Sequence, residues 1–252
     1  MQLNNKTYNI IELEETGSTN QYLRDILSKS SPVEGTVVTT EFQTRGRGQM
    51  GNSWNSEKGK NLLFSILLYP TMVEPIKQFI ISRIISVAIH RVLSQFTDGI
   101  KIKWPNDIYH NNNKIAGILI ENSLMGKAIT YSIVGVGLNI AQKSFSDNIP
   151  NPVSLSQITG MEHSRADILD SVLREFFFLY EEMKNNNVEK IEQEYFQNLF
   201  QRGETCLYKD ERGEFRGKIV DVLPSGHLVM EAESEAEKRK YAFKEVQFII
   251  EK

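Results

Sequence analysis

The sequence predicts an α+β chain: a large part in which strands alternate with core-packing helices, followed by a small all-β unit. Three observations carry this. A β-branched run (Thr36 to Thr40) and an apolar run (Leu62 to Leu68) flank one long glycine-rich loop, and both flanks read as strands. Between Pro75 and Phe96, Ile76, Phe79, Ile80, Ile84, Val87, Ala88, Val92 and Leu93 recur at three- and four-residue spacing, as on a core-packing helix. From Gly203 onward the texture changes to short β-type runs separated by turns, which suits a small barrel. The expected parts are residues 1–200 and 201–252.

In chain order, residues 7 to 14 predict a first strand, and Tyr22, Leu23, Ile26 and Leu27 a helix. Between them Ser18-Thr19-Asn20 admits two readings. Ser18 or Thr19 can cap the helix with a hydroxyl that accepts a backbone N–H, and the same triplet can present hydroxyl and amide groups to a small polar ligand. His90, on the long helix, has no metal-ligand companion at i+3 or i+4 and reads as structural or exposed. Lys101 to Tyr109 alternates lysines with apolar residues until Pro105 interrupts the strand, and the turn His110 to Asn113 leads into Lys114 to Glu121. These adjacent strands place Lys103, Asp107 and Lys114 near one strand end. Residues 128 to 138 form another apolar strand that closes on Gly135-Val136-Gly137-Leu138-Asn139, where glycines suit close approach by a ligand or a backbone.

After a polar loop from Ala141 to Pro152, helices are expected from Ser164 to Lys184 and from Val188 to Phe200, with Phe176, Phe177, Phe178 and Tyr180 in the core. The C-terminal strands are expected at Thr205 to Tyr208, Glu214 to Leu223, His227 to Glu231, Lys240 to Phe243 and Val246 to Ile250. The charged tip from Glu231 to Lys240 reads as solvated.

A chain of 252 residues with 40% hydrophobic and 24% charged residues can bury a real core. Its 29 Lys and Arg against 32 Asp and Glu give a net charge of −3, so no overall basic field recommends nucleic acid as a partner. The single cysteine, Cys206, excludes a disulfide framework within the chain and suits a reducing cytoplasm. The N-terminus from Met1 to Lys6 lacks an apolar signal core, and no apolar run reaches the roughly 18 residues that span a membrane.

Within the organising loop, Gln43-Thr44-Arg45-Gly46-Arg47-Gly48-Gln49-Met50-Gly51 satisfies G-x-G-x-x-G. A dinucleotide-binding reading needs the third glycine to open a helix, whereas here Asn52-Ser53-Trp54 leads on to a strand. A protein-kinase reading needs V-A-I-K, H-R-D and D-F-G segments, which the chain lacks. What remains is a cationic loop whose guanidinium and backbone N–H groups suit an anion; the plain alternative is a solvated surface loop.

Taken together, Ser18 to Leu23, Gln43 with Gly46-Arg47-Gly48 and Gly51 to Trp54, Lys103-Trp104-Pro105-Asn106-Asp107, Lys114 to Leu119, and Gly135 to Asn139 resemble biotin protein ligases, in the family's order. The resemblance implies a mixed, mainly antiparallel, class II synthetase-like sheet flanked by helices, with a C-terminal SH3-like barrel. It implies ATP-dependent activation of biotin to biotinyl-5'-AMP and transfer of biotin to a lysine of a biotin carboxyl carrier protein. By resemblance Ser18, Thr19, Asn20, Gln43, Arg47, Gly48, Gln49, Lys114, Gly117 and Gly135 bind biotin. Arg47, Trp54, Lys103, Asn106, Asp107, Lys114 and Asn139 handle ATP, with Mg²⁺ on its phosphates near Asp107. Arg47, Lys103 and Lys114 are the implied catalytic cations, since a carboxylate approaching an anionic phosphate needs its repulsion offset.

No prosthetic group is expected, and a homodimer is compatible with the resemblance. Two departures stand out. Many members read G-R-G-R-R-G where this chain has Gln49 and Met50, so the loop carries less charge. Some members begin with a DNA-binding domain of roughly 60 residues, whereas this sequence starts at the catalytic motifs, which implies the monofunctional type. A lipoate or octanoate ligase or transferase shares the fold, but polar Ser18, Thr19, Asn20 and Gln43 favour a ureido head. A non-enzymatic nucleotide-binding or interaction module is opposed by the Lys103, Asp107 and Lys114 cluster.

Overall fold

The computed structural model of the protein describes residues 8–126, 128–146, 150–233 and 235–250. The Met1 to Lys6 segment, Thr7 at the expected start of the first strand, part of the polar 141–152 loop and Ser234 in the charged tip lie outside the described residues. The elements are β1 Asn9–Thr16, α1 Thr19–Leu27, β2 Thr36–Gln43, β3 Leu62–Leu68, α2 Phe79–Leu93, β4 Ile100–Lys103, β5 Asp107–His110, β6 Asn113–Met125, β7 Ala128–Leu138, α3 Leu155–Thr159, α4 Arg165–Lys184 and α5 Glu189–Gln197. The C-terminal strands follow as β8 Cys206–Asp210, β9 Gly213–Val222, β10 Leu228–Ala232, β11 Lys238–Tyr241 and β12 Gln247–Phe248.

β1 to β7 form one seven-stranded sheet in the order β1-β2-β3-β7-β6-β5-β4. β1 and β2 run parallel and the other neighbours antiparallel, so the sheet is mixed and mainly antiparallel. Central β3 is buried on both faces, which is why LLFSILL reads as a continuous apolar run rather than an alternation. Its Phe64, Ile66 and Leu68 belong to the main core together with residues of α2 and α4, while Leu67 joins Leu23 of α1, Val38 and Ile133 on the other side. Ser65 interrupts the run. It shares the α1 side and reaches the N-terminus of that helix.

Helix α2 is apolar almost all round because it lies between the sheet and helices α4 and α5. It starts at Phe79, since Pro75–Lys77 forms a separate 3-10 turn, and ends at Leu93 rather than near Phe96. Two further expectations are corrected, and one short helix is added. Phe178 is 58% exposed, because consecutive helical positions turn by about 100° and cannot all face one core. α3 was not expected, although Ser154 and Gln157 form a capping box at its start. In the C-terminal charged tip, Arg239 is not solvated: it pairs with Asp210 at 2.9 Å, with side chains 12% and 4% exposed.

β8 to β12 form a second, antiparallel sheet in the order β11-β10-β9-β8-β12, with a bulge at Val229/Met230. No pairing among the described residues joins β11 to β12, so this is an open sheet rather than a closed barrel. It packs on the larger part through Trp104 Nε1, which donates to the Gly226 carbonyl at 2.8 Å, and through Phe200 against Phe248. No helix among the described residues is long and apolar enough to cross a membrane.

Candidate functional site

The site is assembled where α1 begins, β2 ends, and β6 and β7 run beneath both. Ser18 is the N-cap residue, with extended backbone, but its hydroxyl makes no capping hydrogen bond. Gln43 at the end of β2 supplies the acceptor instead: its Oε1 takes the Thr19 N–H at 2.8 Å and lies 3.2 Å from the Thr19 hydroxyl. The Ser65 hydroxyl is 2.6 Å from both Thr19 Oγ1 and Asn20 Oδ1, and since a carbonyl oxygen can only accept, the Ser65 proton goes to Asn20. The Asn20 amide group then donates to the Leu119 carbonyl at 3.2 Å and to Glu121 Oε2 at 2.8 Å. A Cβ at Gly135 would overlap the Asn20 side chain, so this glycine makes the seat for Asn20.

The glycine-rich loop folds as a small hairpin over the sheet. Gly48 N–H donates to Asn52 O at 2.7 Å, Trp54 N–H donates to Gly46 O at 3.0 Å, and Arg47 bridges Ser53. Gly48 itself is extended, at φ −113. Gly51, at φ +84, is the member of the G-x-G-x-x-G pattern whose backbone favours glycine, and Gly46 leaves room for the Trp54 carbonyl. The Trp54 indole lies on Gly117 of β6 and its cross-strand partner Gly137 of β7, where added Cβ atoms would collide with the ring.

Arg47 pairs with Glu121 through both terminal nitrogens, at 3.2 and 3.0 Å, and Arg24 reaches the same carboxylate at 2.6 Å. Burial alone would raise the Glu121 pKa; hydrogen bonds from Asn20 and Arg24 and the charge of Arg47 outweigh it and hold the group below the ordinary range. Four polar atoms of this loop, Arg47 Nε, Gln49 Oε1, Trp54 Nε1 and Ser56 Oγ, are buried without a hydrogen-bond partner. Such orphans call for a ligand or solvent.

At the opposite wall, Lys103 and Asp107 are paired across the β4–β5 corner, which contains a cis Trp104–Pro105 bond. Lys114 Nζ is 2.7 Å from Asp107 Oδ1. Lys103 sits over the rings of Phe248 and Tyr109, at 4.5 and 5.3 Å, and burial lowers its pKa, partly offset by Asp107 and reinforced by Lys114. Asn106 donates to the Ile118 carbonyl at 2.6 Å.

A cleft of about 160 Å³ is lined by Ser18, Thr19, Asn20, Gln43, Arg47, Gly48, Gln49, Trp54, Lys103, Asn106, Asp107, Lys114, Gly117 and Gly135. Asn139 is not among its walls. Its side chain donates to the Val153 carbonyl at 3.1 Å and its N–H to Ile115 O at 2.9 Å, so it ties residues beside Lys114 together. The sequence reading missed Asn52, Ser53, Gly137 and, from the C-terminal part, Phe243, which also line the cleft. Beside Phe243, Lys244 Nζ donates to the Met50 carbonyl of the loop at 3.4 Å. No group of three or more His, Cys, Asp or Glu side chains among the described residues could hold a metal by itself.

Residues 13–139 match the model of the biotin/lipoate A/B protein ligase family. The chain is 28% identical over 230 residues to the bifunctional ligase/repressor BirA of Bacillus spizizenii, covering 89% of this chain and 70% of that protein. To BirA of Escherichia coli it is 32% identical over 162 residues, covering 63% of this chain and 49% of that one. Among solved structures, biotin protein ligase from Aquifex aeolicus in complex with biotin and ATP superposes with a TM-score of 0.79 at 26% identity, covering 96% of this chain and 99% of that one.

Proposed function

The chain belongs to the biotin/lipoate A/B protein ligase family, and from that premise we propose that it is a biotin–protein ligase, which activates biotin with ATP and transfers it to a protein lysine. The observation that carries the reading is the cleft itself. Arg47, Gln49 and Trp54, each with a buried and partnerless donor or acceptor, line one cleft together with Lys103 and Lys114 and with the polar set Ser18, Thr19, Asn20 and Gln43. An anionic ligand with a small polar head answers both features.

In the first step a biotin carboxylate oxygen forms a bond to the α-phosphorus of ATP as the bond to pyrophosphate breaks. Two anions must meet, so fixed positive charge lowers the barrier by stabilising the transition state. We assign that work to Arg47, Lys103 and Lys114. Lys114 moves from its Asp107 partner to the biotin carboxylate and then to the acyl phosphate. Gln43 has spent its side-chain oxygen on Thr19 and offers its amide N–H groups to the ureido oxygen. Asn20 is held by Ser65, Leu119 and Glu121, so it shapes the pocket more than it donates. Trp54 gives the nucleotide a flat apolar surface. In the second step the acceptor lysine nitrogen attacks the biotinyl carbonyl and AMP leaves.

Asp107 is the cleft's carboxylate and is shared with Lys114, a donor set that fits a Mg²⁺ brought in on ATP phosphates rather than a resident ion. Asp107 would hold it, and it would supply charge that neutralises the phosphates. The acceptor is a biotin carboxyl carrier domain. We read residues 201–252 as an SH3-like unit whose Phe243 completes the cleft of the 1–200 catalytic part. Biotin-dependent exchange of labelled pyrophosphate into ATP tests the activity. Exchange with biotin and none with lipoate supports it, whereas exchange driven by lipoate alone assigns the chain to the other branch of the family.

A further inference from the structure

We propose that Glu121 is a positioning residue for adenylation: it holds the Arg47 guanidinium in place and ties it, through Asn20, to the N-terminus of α1. Glu121 stands on β6 and does not itself line the cleft. Its two oxygens take Arg47 Nη1 and Nη2 side by side, at 3.2 and 3.0 Å, in the planar fork geometry that fixes a guanidinium's orientation as well as its place. The pairing uses the terminal nitrogens and leaves Nε, which is buried without a partner, as the guanidinium's unused donor.

The same carboxylate accepts from Asn20 at 2.8 Å and pairs with Arg24 at 2.6 Å. A lone half-exposed ion pair contributes little. Here three groups, Asn20 and Arg24 of α1 and Arg47 of the loop, share one acceptor on β6, and two guanidiniums against one carboxylate leave a net positive charge for an anionic ligand. A hydrogen-bond path therefore runs from Gln43 Oε1 to the Thr19 backbone N–H, and from the Thr19 hydroxyl, which donates to Ser65, through Ser65, Asn20 and Glu121 to Arg47. It connects the proposed head-group residues with one of the proposed catalytic cations.

The kinetic part of this inference rests on the adenylation reading; its loop part does not. The test is Glu121→Gln, which keeps the shape and removes the charge. In the ligand-free protein, trypsin should cut after Arg47 several-fold faster than in the unaltered chain, because the guanidinium is released, while cleavage after Arg45 changes little. Biotin-dependent pyrophosphate exchange should fall by about tenfold or more in kcat. In an Arg47→Ala background the Glu121→Gln change should cause no further loss, because its effect passes through Arg47. A purely structural role predicts additive losses and a lowered melting temperature instead. Glu121→Asp, which keeps the charge but shortens the reach, should move both readouts in the same direction and serves if Glu121→Gln misfolds. Unchanged cleavage after Arg47 in both variants overturns the proposal. Absence of exchange in the unaltered protein sinks the adenylation reading, and the proteolysis comparison still decides Glu121.

Discussion

Gln43 Oε1 accepts the backbone N–H of Thr19 at 2.8 Å, so a side chain at the end of β2 does for helix α1 what the N-cap Ser18 does not. The two roles of Gln43 can be separated. Gln43→Ala should cost about 1–3 kcal/mol of stability by leaving a buried N–H unpaired. Gln43→Glu retains the acceptor and should stay near the original stability, yet lose biotin affinity because the amide donor is gone. Urea unfolding and calorimetric titration with biotin check both, and a Glu variant that binds biotin normally contradicts the assignment.

Lys114→Ala should leave the fold intact, since the side chain reaches from a strand end to Asp107 and adds no core. Adenylation should fall by about 10² to 10³, in line with loss of a charge contact made in the transition state. Pyrophosphate exchange beside a melting curve reads this, and near-normal exchange removes Lys114 from the mechanism.

Gly137→Ala should push the Trp54 indole off its glycine floor, since an added Cβ comes within 2.6 Å of Nε1. Overpacking of this kind costs on the order of 1–3 kcal/mol. Steady-state kinetics should show the loss mainly as a higher KM for ATP. A shift in the KM for biotin alone argues that Trp54 does not face the nucleotide.

Glu34 ties the start of β2 to α4. It accepts from the Tyr69 N–H and the Tyr180 hydroxyl, at 2.9 and 2.8 Å, and pairs with Lys184. Burial raises its pKa, but these bonds outweigh burial and set it below the ordinary 4.5. A depressed carboxylate stabilises the fold above its unfolded pKa, and that contribution is lost as pH falls through the folded value. Glu34→Gln should therefore cost on the order of 1–2 kcal/mol near neutrality. The gap from the unaltered protein should shrink below about pH 4.5. Urea midpoints across that range measure it; a gap that widens in acid contradicts the sign.

Much of the cleft was legible because its residues sit in compact local motifs: Ser18 to Asn20, the glycine loop, Lys103 to Asp107, and Lys114 to Gly117. The strand-loop-strand setting of the loop and the helical spacing of α2 were likewise local signals. What escaped the sequence depends on distant pairing. Glu121 lies 74 positions from Arg47, and nothing near either residue announces the partner. Phe243 reaches the cleft only once the C-terminal sheet has docked. Ser65 did carry a signal, a lone hydroxyl in the buried run of β3, and its placement explains why Asn20 is immobilised. Asn139 fell outside the cleft because its amide completes backbone bonding at the end of β7, a use that residue type alone does not reveal.

The most direct measurement of the central claim is transfer itself: purified protein incubated with ATP, Mg²⁺ and either biotin or lipoate, together with a biotin carboxyl carrier domain, and the domain analysed by mass spectrometry. The account predicts one biotinyl group on one lysine, dependent on ATP and absent in Lys114→Ala. An unmodified carrier with biotin, or a carrier that gains lipoate in its place, contradicts it.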